Sequence, residues 1–203
     1  MRYWWVNQNK THKSEIPGGF LWSPKTKSNG HRNQFYQNMY EVTAGDIVFS
    51  FYGGKLKAIG MAMGAAQSAP KPNFGAAGVR WSNEGWLVPV EFITFSSPVR
   101  PRDHIELIRP HLPNMYSPLQ ENGNGLENVY LAAVSEEMAD ALKSIIGPDF
   151  YSALDSFVFD SMSAEEQADR VEEELKGRTD IGPTMKESLV KSRRGQGIFK
   201  ANV

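Results

Sequence analysis

Trp22 and Trp81 are the side chains of this sequence best suited to holding a flat ligand. Both sit in polar, glycine-bearing surroundings, Gly18-Gly-Phe-Leu-Trp-Ser-Pro-Lys-Thr-Lys27 and Val79-Arg-Trp-Ser-Asn-Glu-Gly85. A core tryptophan normally belongs to an apolar run, whereas one in a loop has a face free for a ring-shaped guest. Trp86, five positions after Trp81, stands beside a strand-like run. Trp4 and Trp5, inside Tyr3-Trp-Trp-Val6, read as buried. Core packing is the plain alternative for each of these rings.

Other chemistry is poorly represented. The 203 residues contain no cysteine, which excludes disulfides and thiolate zinc sites. His12, His31, His104 and His111 show none of the close spacings that metal sites favour, and no phosphate-cradling GxxxxGK[ST] occurs. Acid pairs such as Glu136-Glu137 and Glu165-Glu166 suit helix starts. No catalytic group and no metal site is therefore expected in this chain. Without a signal peptide or a long apolar run, the sequence gives no reason to expect a membrane, and a cytoplasmic protein is the default expectation.

The net charge of −1 conceals an asymmetry. Residues 1–120 carry 13 Lys+Arg against 7 Asp+Glu, whereas residues 121–203 carry 9 against 16. Polyanion binders hold their positive charge locally, so only the first part suits phosphate.

The elements that must position these rings are mostly strands. Tyr3–Val6 reads as a short buried strand, and Pro17-Gly-Gly19 as a break before Phe20-Leu-Trp22. A polar loop follows over 23–30, and Asn33–Tyr40 has the pattern of a short helix. Ile47–Tyr52, Ala58–Ala65, Trp86–Phe95 and Val129–Val134 complete the strands, with Gly60 and Gly64 marking curvature or close backbone approach. Ser135 caps a helix that Gly147-Pro148 ends. This order predicts a small curved α+β domain over 1–147. Residues 148–190 read as a helical and flexible linker, with a capping box at Ser163–Glu166 and a narrow apolar stripe. A dimerisation helix is the alternative there.

Four segments together resemble the EVE domain, a PUA-like β-barrel family related to the YTH readers of methylated adenine. They are Tyr3-Trp-Trp-Val-Asn-Gln-Asn-Lys10, Gly30-His-Arg-Asn-Gln-Phe-Tyr36, Ala44-Gly-Asp-Ile-Val-Phe-Ser-Phe-Tyr52 and Ile59-Gly-Met-Ala62. The resemblance implies a curved β-barrel flanked by short helices, with a flipped base held between aromatic rings. Carried onto this sequence, it makes Trp22 with Ser23 one wall, Trp81 and Trp86 the other, and Asn7, Asn9 and Ser23 the readers of the base edge. Lys10, Lys25, Lys27, Arg32 and Lys55, with Lys13 and Lys57, cluster in sequence around these segments and are candidate phosphate contacts. A solvated basic face is the plain alternative. Asn and Ser near strand ends also serve as turn residues.

The run Lys191-Ser-Arg-Arg-Gly-Gln-Gly-Ile-Phe-Lys-Ala-Asn-Val203 resembles the entry into the HNH nuclease domain of bacterial restriction endonucleases. A charged tail is the alternative. With the EVE resemblance, it implies the specificity module of a modification-dependent endonuclease, reading 5-methyl- or 5-hydroxymethylcytosine in duplex DNA. The divalent metal, with a structural zinc as a further option, would belong to the HNH part beyond 191–203, and a dimer through the C-terminal part is a further expectation. The rival readings are a binder of modified RNA without a cleavage role and a small-molecule or nucleotide-binding domain.

Overall fold

The computed structural model describes residues 1–161 together with Glu166, Asp169, Arg170, Glu173 and Gly177. The expected HNH entry at 191–203 lies outside the described residues, as does most of the expected linker helix. The chain divides into two units, Met1–Ala153 and Leu154–Val203. The first carries the sheet.

Seven strands form one sheet: β1 (Tyr3–Asn7), β2 (Phe20–Pro24), β3 (Ile47–Tyr52), β4 (Lys55–Ala62), β5 (Gln67–Pro70), β6 (Glu84–Val99) and β7 (Leu131–Val134). Their order is β2-β6-β4-β3-β1-β7, with β5 also on β6. Among the described residues the α-helices are α1 (His12–Gly18), α2 (Gln34–Glu41), α3 (Ile105–Ile108), α4 (Glu136–Ile146) and α5 (Pro148–Ser161), with 3-10 turns at Gly75–Gly78 and flanking α3. The class is the expected one: mixed α+β, with a curled sheet and short helices.

The curl follows from β6. Its 16 residues change partners part-way, pairing with β2 and β5 over 84–89 and with β4 beyond that. Gly60 sits inside β4, where a Cβ would lie 2.5 Å from Val90 Cγ1 and 2.9 Å from Phe92, so close approach explains it. β1 and β3 are buried on both faces, which accounts for their almost unbroken apolar sequences. One face packs Trp4, Val6, Val48, Leu21, Val88 and Met39 into the main core. On the other, Trp5 meets Phe51, while Tyr3 and Phe150 stack on Phe49.

β1 runs parallel to β3, and such a pair needs a long crossover. Residues 8–46 supply it and contain α1, β2 and α2. Asp46 closes this crossover. Fully buried, it accepts bonds from Trp4 Nε1 at 3.0 Å, Arg2 N–H at 2.8 Å and Thr43 N–H at 3.0 Å. Burial alone would raise its carboxyl. Those bonds and the Arg2 charge outweigh burial and hold its pKa below the usual range.

Two expectations need correction. Pro17 lies inside α1, and the chain turns at Gly19, whose φ of 68° is left-handed. The polar loop begins later than expected, because Trp22, Ser23 and Pro24 belong to β2, a short outer strand where proline is tolerated. Gly147-Pro148 ends α4 as expected, and because proline suits the first position of a helix, α5 starts at once within the segment read as helical and flexible linker.

Candidate functional site

β2 and β7 are the two ends of the sheet path and share no ladder. Side chains hold this seam instead. The Trp22 N–H donates to the Tyr130 hydroxyl at 2.9 Å and to Glu15 Oε1 at 3.1 Å, and the Tyr130 hydroxyl donates to Glu15 Oε1 at 2.5 Å. The other Glu15 oxygen accepts from Gln8 Nε2 at 2.8 Å and Thr11 Oγ1 at 2.7 Å. Glu15 is fully buried, and burial pushes its carboxyl above the usual range although all four bonds pull the other way. Burial and the neighbouring Glu15 charge likewise push the Tyr130 hydroxyl well up.

A cavity of about 370 Å³ opens at this seam. The end of β1 and the turn after it contribute Asn7, Asn9, Lys10 and Thr11; β2 contributes Trp22, Ser23 and Pro24; α2 contributes Tyr36. Trp81 enters from the loop before β6, and Glu127, Asn128, Val129 and Tyr130 from the segment before β7. A second cleft of about 400 Å³ shares Pro24, Tyr36, Trp81 and Asn128 with the first and adds Lys27 and Arg80. Asn128 adopts φ 63°, a left-handed conformation that asparagine tolerates better than most residues. The arrangement is an aromatic and amide-lined hollow with cations at its borders.

The rings do not stand as two open walls. Trp22 is 1% exposed, and its ring lies 6.2 Å from that of Trp81 at 27°, with Phe74 packed against both. Carbon atoms in contact sit about 3.5–4.0 Å apart, so a base sandwiched between two rings needs roughly 7 Å. The Trp22–Trp81 spacing falls short, so a sandwiched base must move Trp81 outward by about 1 Å. Trp81 is only half-buried, and Lys71 Nζ holds its loop by donating to Gly78 O at 2.9 Å and Trp81 O at 3.3 Å. Trp22 is thus the fixed ring and Trp81 the half-buried one. Gly85 permits this, since a Cβ there would lie 2.4 Å from Trp22 Cζ2.

Of the residues singled out in the sequence, Trp22, Ser23, Trp81, Asn7, Asn9 and Lys10 come together at the cavity, and Lys27 reaches the second cleft. Trp86 does not join them. It pairs with Ser23 in the ladder, whereas Trp22 pairs with Leu87, and side chains alternate across a strand. Its ring packs against the main core and Tyr40. Lys25 follows it, with Nζ 4.6 Å from the Trp86 ring centre and donating to Ser68 Oγ at 2.6 Å. Arg32 and Lys55 line neither cleft. Ser23 is buried and donates to Pro24 O; Asn7 Oδ1 accepts the Asn9 N–H at 3.3 Å in a local turn while its Nδ2 donates to Leu126 O at 3.3 Å, and Asn9 Oδ1 accepts the N–H of the distant Gly53 at 2.7 Å.

Tyr36, Tyr130, Asn128, Arg80 and Glu15 were missed by sequence reasoning. Tyr36 and Tyr130 looked like ordinary members of a helix and a strand. Glu15 carries no local signature, because Tyr130 is 115 residues away. Among the described residues, no group of three or more His, Asp or Glu could hold a metal, and no helix is long and apolar enough to cross a membrane.

No family model and no curated protein matches the chain. Solved structures with similar backbones include human THYN1 in complex with 5-methylcytosine-containing DNA, at 13% identity and a TM-score of 0.46, covering 72% of this chain and 98% of that one. The YTH domain of Zygosaccharomyces rouxii MRB1, in complex with N6-methyladenosine RNA, has 10% identity and a TM-score of 0.47, covering 71% and 86%. The N-terminal domain of Staphylothermus marinus McrB has 13% identity and a TM-score of 0.44, covering 70% and 93%.

Proposed function

We propose that this domain reads a modified base in nucleic acid, and that the base is 5-methyl- or 5-hydroxymethylcytosine flipped out of duplex DNA. The observation that carries this reading is the seam cavity itself. At about 370 Å³, it lies near the lower end of the roughly 300–1,000 Å³ typical of small-ligand pockets. Its lining combines stacking faces with the amides of Asn7, Asn9 and Asn128, and Lys10 lies at its border. Stacking on aromatic rings is worth about 1–3 kcal/mol per base, while flipping a paired base costs a few kcal/mol. The two nearly cancel, so phosphate contacts by cations such as Lys10, Lys27 and Arg80 supply the net affinity. A methyl group adds only about 0.8 kcal/mol by burial. Discrimination therefore rests on the Trp81 ring closing well over one shape of base and poorly over another.

In the intact protein this reader directs an HNH nuclease, so that modified DNA is cut near the recognised base. The support for that step is the resemblance of the run at 191–203. The test is fluorescence anisotropy with matched duplexes carrying cytosine, 5-methylcytosine or 5-hydroxymethylcytosine, alongside the corresponding RNAs. Tighter binding to a modified duplex is expected. Equal affinity for modified and plain duplexes, or preference for RNA, overturns the DNA reading.

A further inference from the structure

The turn after β1 and the β3–β4 hairpin are joined at the border of the cavity, and apart from Asn9 and Lys10 their side chains are not used by the base-binding reading. Gln8 N–H donates to Phe51 O at 2.9 Å, and Gly53 N–H donates to Asn9 Oδ1 at 2.7 Å. His12 stacks on Tyr52 at 4.3 Å with the rings 10° apart, and Lys57 Nζ lies 4.5 Å from the centre of the same ring. Residues 7–14 and 52–57 contain four lysines and a histidine, and no Asp or Glu.

Lys57 owes its position to an irregularity in the ladder. Phe51 pairs with Leu56 and Ser50 with Ala58, which leaves Lys57 as the extra residue of a β-bulge. Bulges re-aim a side chain at the expense of regular pairing. This one accompanies an ammonium set on Tyr52 at the hairpin end. Gly53 and Gly54, both at positive φ and exposed, leave the tip free of side chains, so a bulky backbone can come close.

Resting on the base-reading assignment, we propose that this hairpin surface carries the sugar-phosphate backbone of the polynucleotide whose modified base enters the cavity, with Lys55 and Lys57 as its phosphate contacts. Three observations favour a polynucleotide over an acidic protein segment. The surface is continuous with the base cavity, because Asn9 and Lys10 belong to both. Its charge is of one sign along two adjoining segments. The stacked His12–Tyr52 pair, with Lys57 over the Tyr52 ring, sets ring edges directly beside the cations, where a sugar can pack next to its phosphate.

The experiment compares wild type with the Lys55→Gln/Lys57→Gln double variant, using 5-methylcytosine-containing and plain duplexes of one sequence over a salt series. Each phosphate contact contributes about 0.9 to the slope of log affinity against log salt, so losing two should make the slope shallower by about 1.8. Affinity should fall roughly tenfold or more at low salt, equally for both duplexes, leaving their ratio unchanged. Thermal melts check folding, and Lys55→Gln alone, at the exposed hairpin end, should lower the slope by about half as much.

An unchanged slope and affinity in the folded double variant overturns the proposal while leaving base reading intact. A shallower slope with no preference of wild type for the modified duplex keeps the hairpin track and removes the base reading. Absence of any binding by wild type removes both.

Discussion

Replacing Glu15 with alanine takes one acceptor group away from four donors at once. Two of them have another outlet. The Trp22 N–H still reaches the Tyr130 hydroxyl oxygen at 2.9 Å, and the Tyr130 hydroxyl, on the cavity wall, can turn toward water. Gln8 Nε2, in a fully buried side chain, has no such outlet, and Thr11 Oγ1, although Thr11 lines the cavity, belongs to a side chain only 3% exposed. An orphaned buried donor costs about 1–3 kcal/mol, so the two cost roughly 2–6 kcal/mol. Relief from burying a carboxylate offsets part of this, and the void left behind adds to it. The expected net loss is about 3 kcal/mol, a large share of the roughly 5–15 kcal/mol that holds a typical domain together. Binding should suffer beyond the stability loss, because Trp22 and Tyr130 line the cavity.

Glu15→Gln separates charge from shape. Because burial raises the Glu15 pKa, the folded chain keeps this proton at a pH where the unfolded chain has lost it. The native state then binds more protons, so stability is greatest below the unfolded pKa and declines as pH rises through the folded one. Glutamine, which resembles the protonated acid in donor and acceptor pattern, cannot titrate. Urea unfolding of both proteins from about pH 4 to 8 should show the wild type losing stability relative to the variant as pH increases. Parallel profiles, meaning that the four donated bonds cancel burial, or a wild type that gains stability as pH rises, meaning that they outweigh it, would refute the reasoning.

Trp22→Ala should lower stability by roughly 3–5 kcal/mol as a core deletion, whereas the half-buried Trp81→Ala should leave thermal melting nearly unchanged and abolish any preference for a modified base. Gly85→Ala should destabilise the domain and weaken binding together, because its Cβ would lie 2.2 Å from Ser23 O and 2.4 Å from Trp22 Cζ2; a melt and a titration on the same sample check both. Asp46 has the opposite sign to Glu15. Its lowered pKa contributes stability above the unfolded value that is lost as pH falls through the folded one, so Asp46→Asn should be less stable than wild type at neutral pH and approach it in acid denaturation.

What was legible in the sequence is what local pattern dictates. Ile47–Tyr52 is a run of strand formers and is β3 to the residue; Ser135 caps α4 by accepting the Met138 N–H at 3.2 Å. The class followed from the order of such elements. Which rings meet was less legible, because it depends on register. Trp81 and Trp86 stand five residues apart and were expected on one wall, yet Trp86 sits opposite Ser23 in the ladder and is thereby turned to the face away from Trp22. Loop-like neighbours misled at Trp22 for a related reason. Ser23 and Pro24 are polar or turn-forming by habit, but β2 needs only one ladder partner and accepts them. Glu15, Tyr36 and Tyr130 were invisible because nothing near them in the chain reports contacts made across the crossover.

That blindness has a physical logic. A closed barrel would satisfy the free edges of β2 and β7 by pairing them, and no pocket would remain between. Here the seam stays open, and Trp22's backbone N–H, an edge donor that pairing would have used, goes to Glu15 and Tyr130. The cavity exists because a carboxylate takes over work that a strand would do. A neutral, well-packed seam would be more stable, since burying an ionisable group is costly. It would also fill the space that Trp22, Tyr130 and Asn128 leave. The cost of Glu15 and the hollow beside it are therefore one feature. It follows that second-site substitutions restoring stability to Glu15→Ala should be apolar ones that fill the seam, and that each should reduce ligand affinity as it raises the melting temperature. Rescue of stability with full retention of binding would separate the two and refute this link.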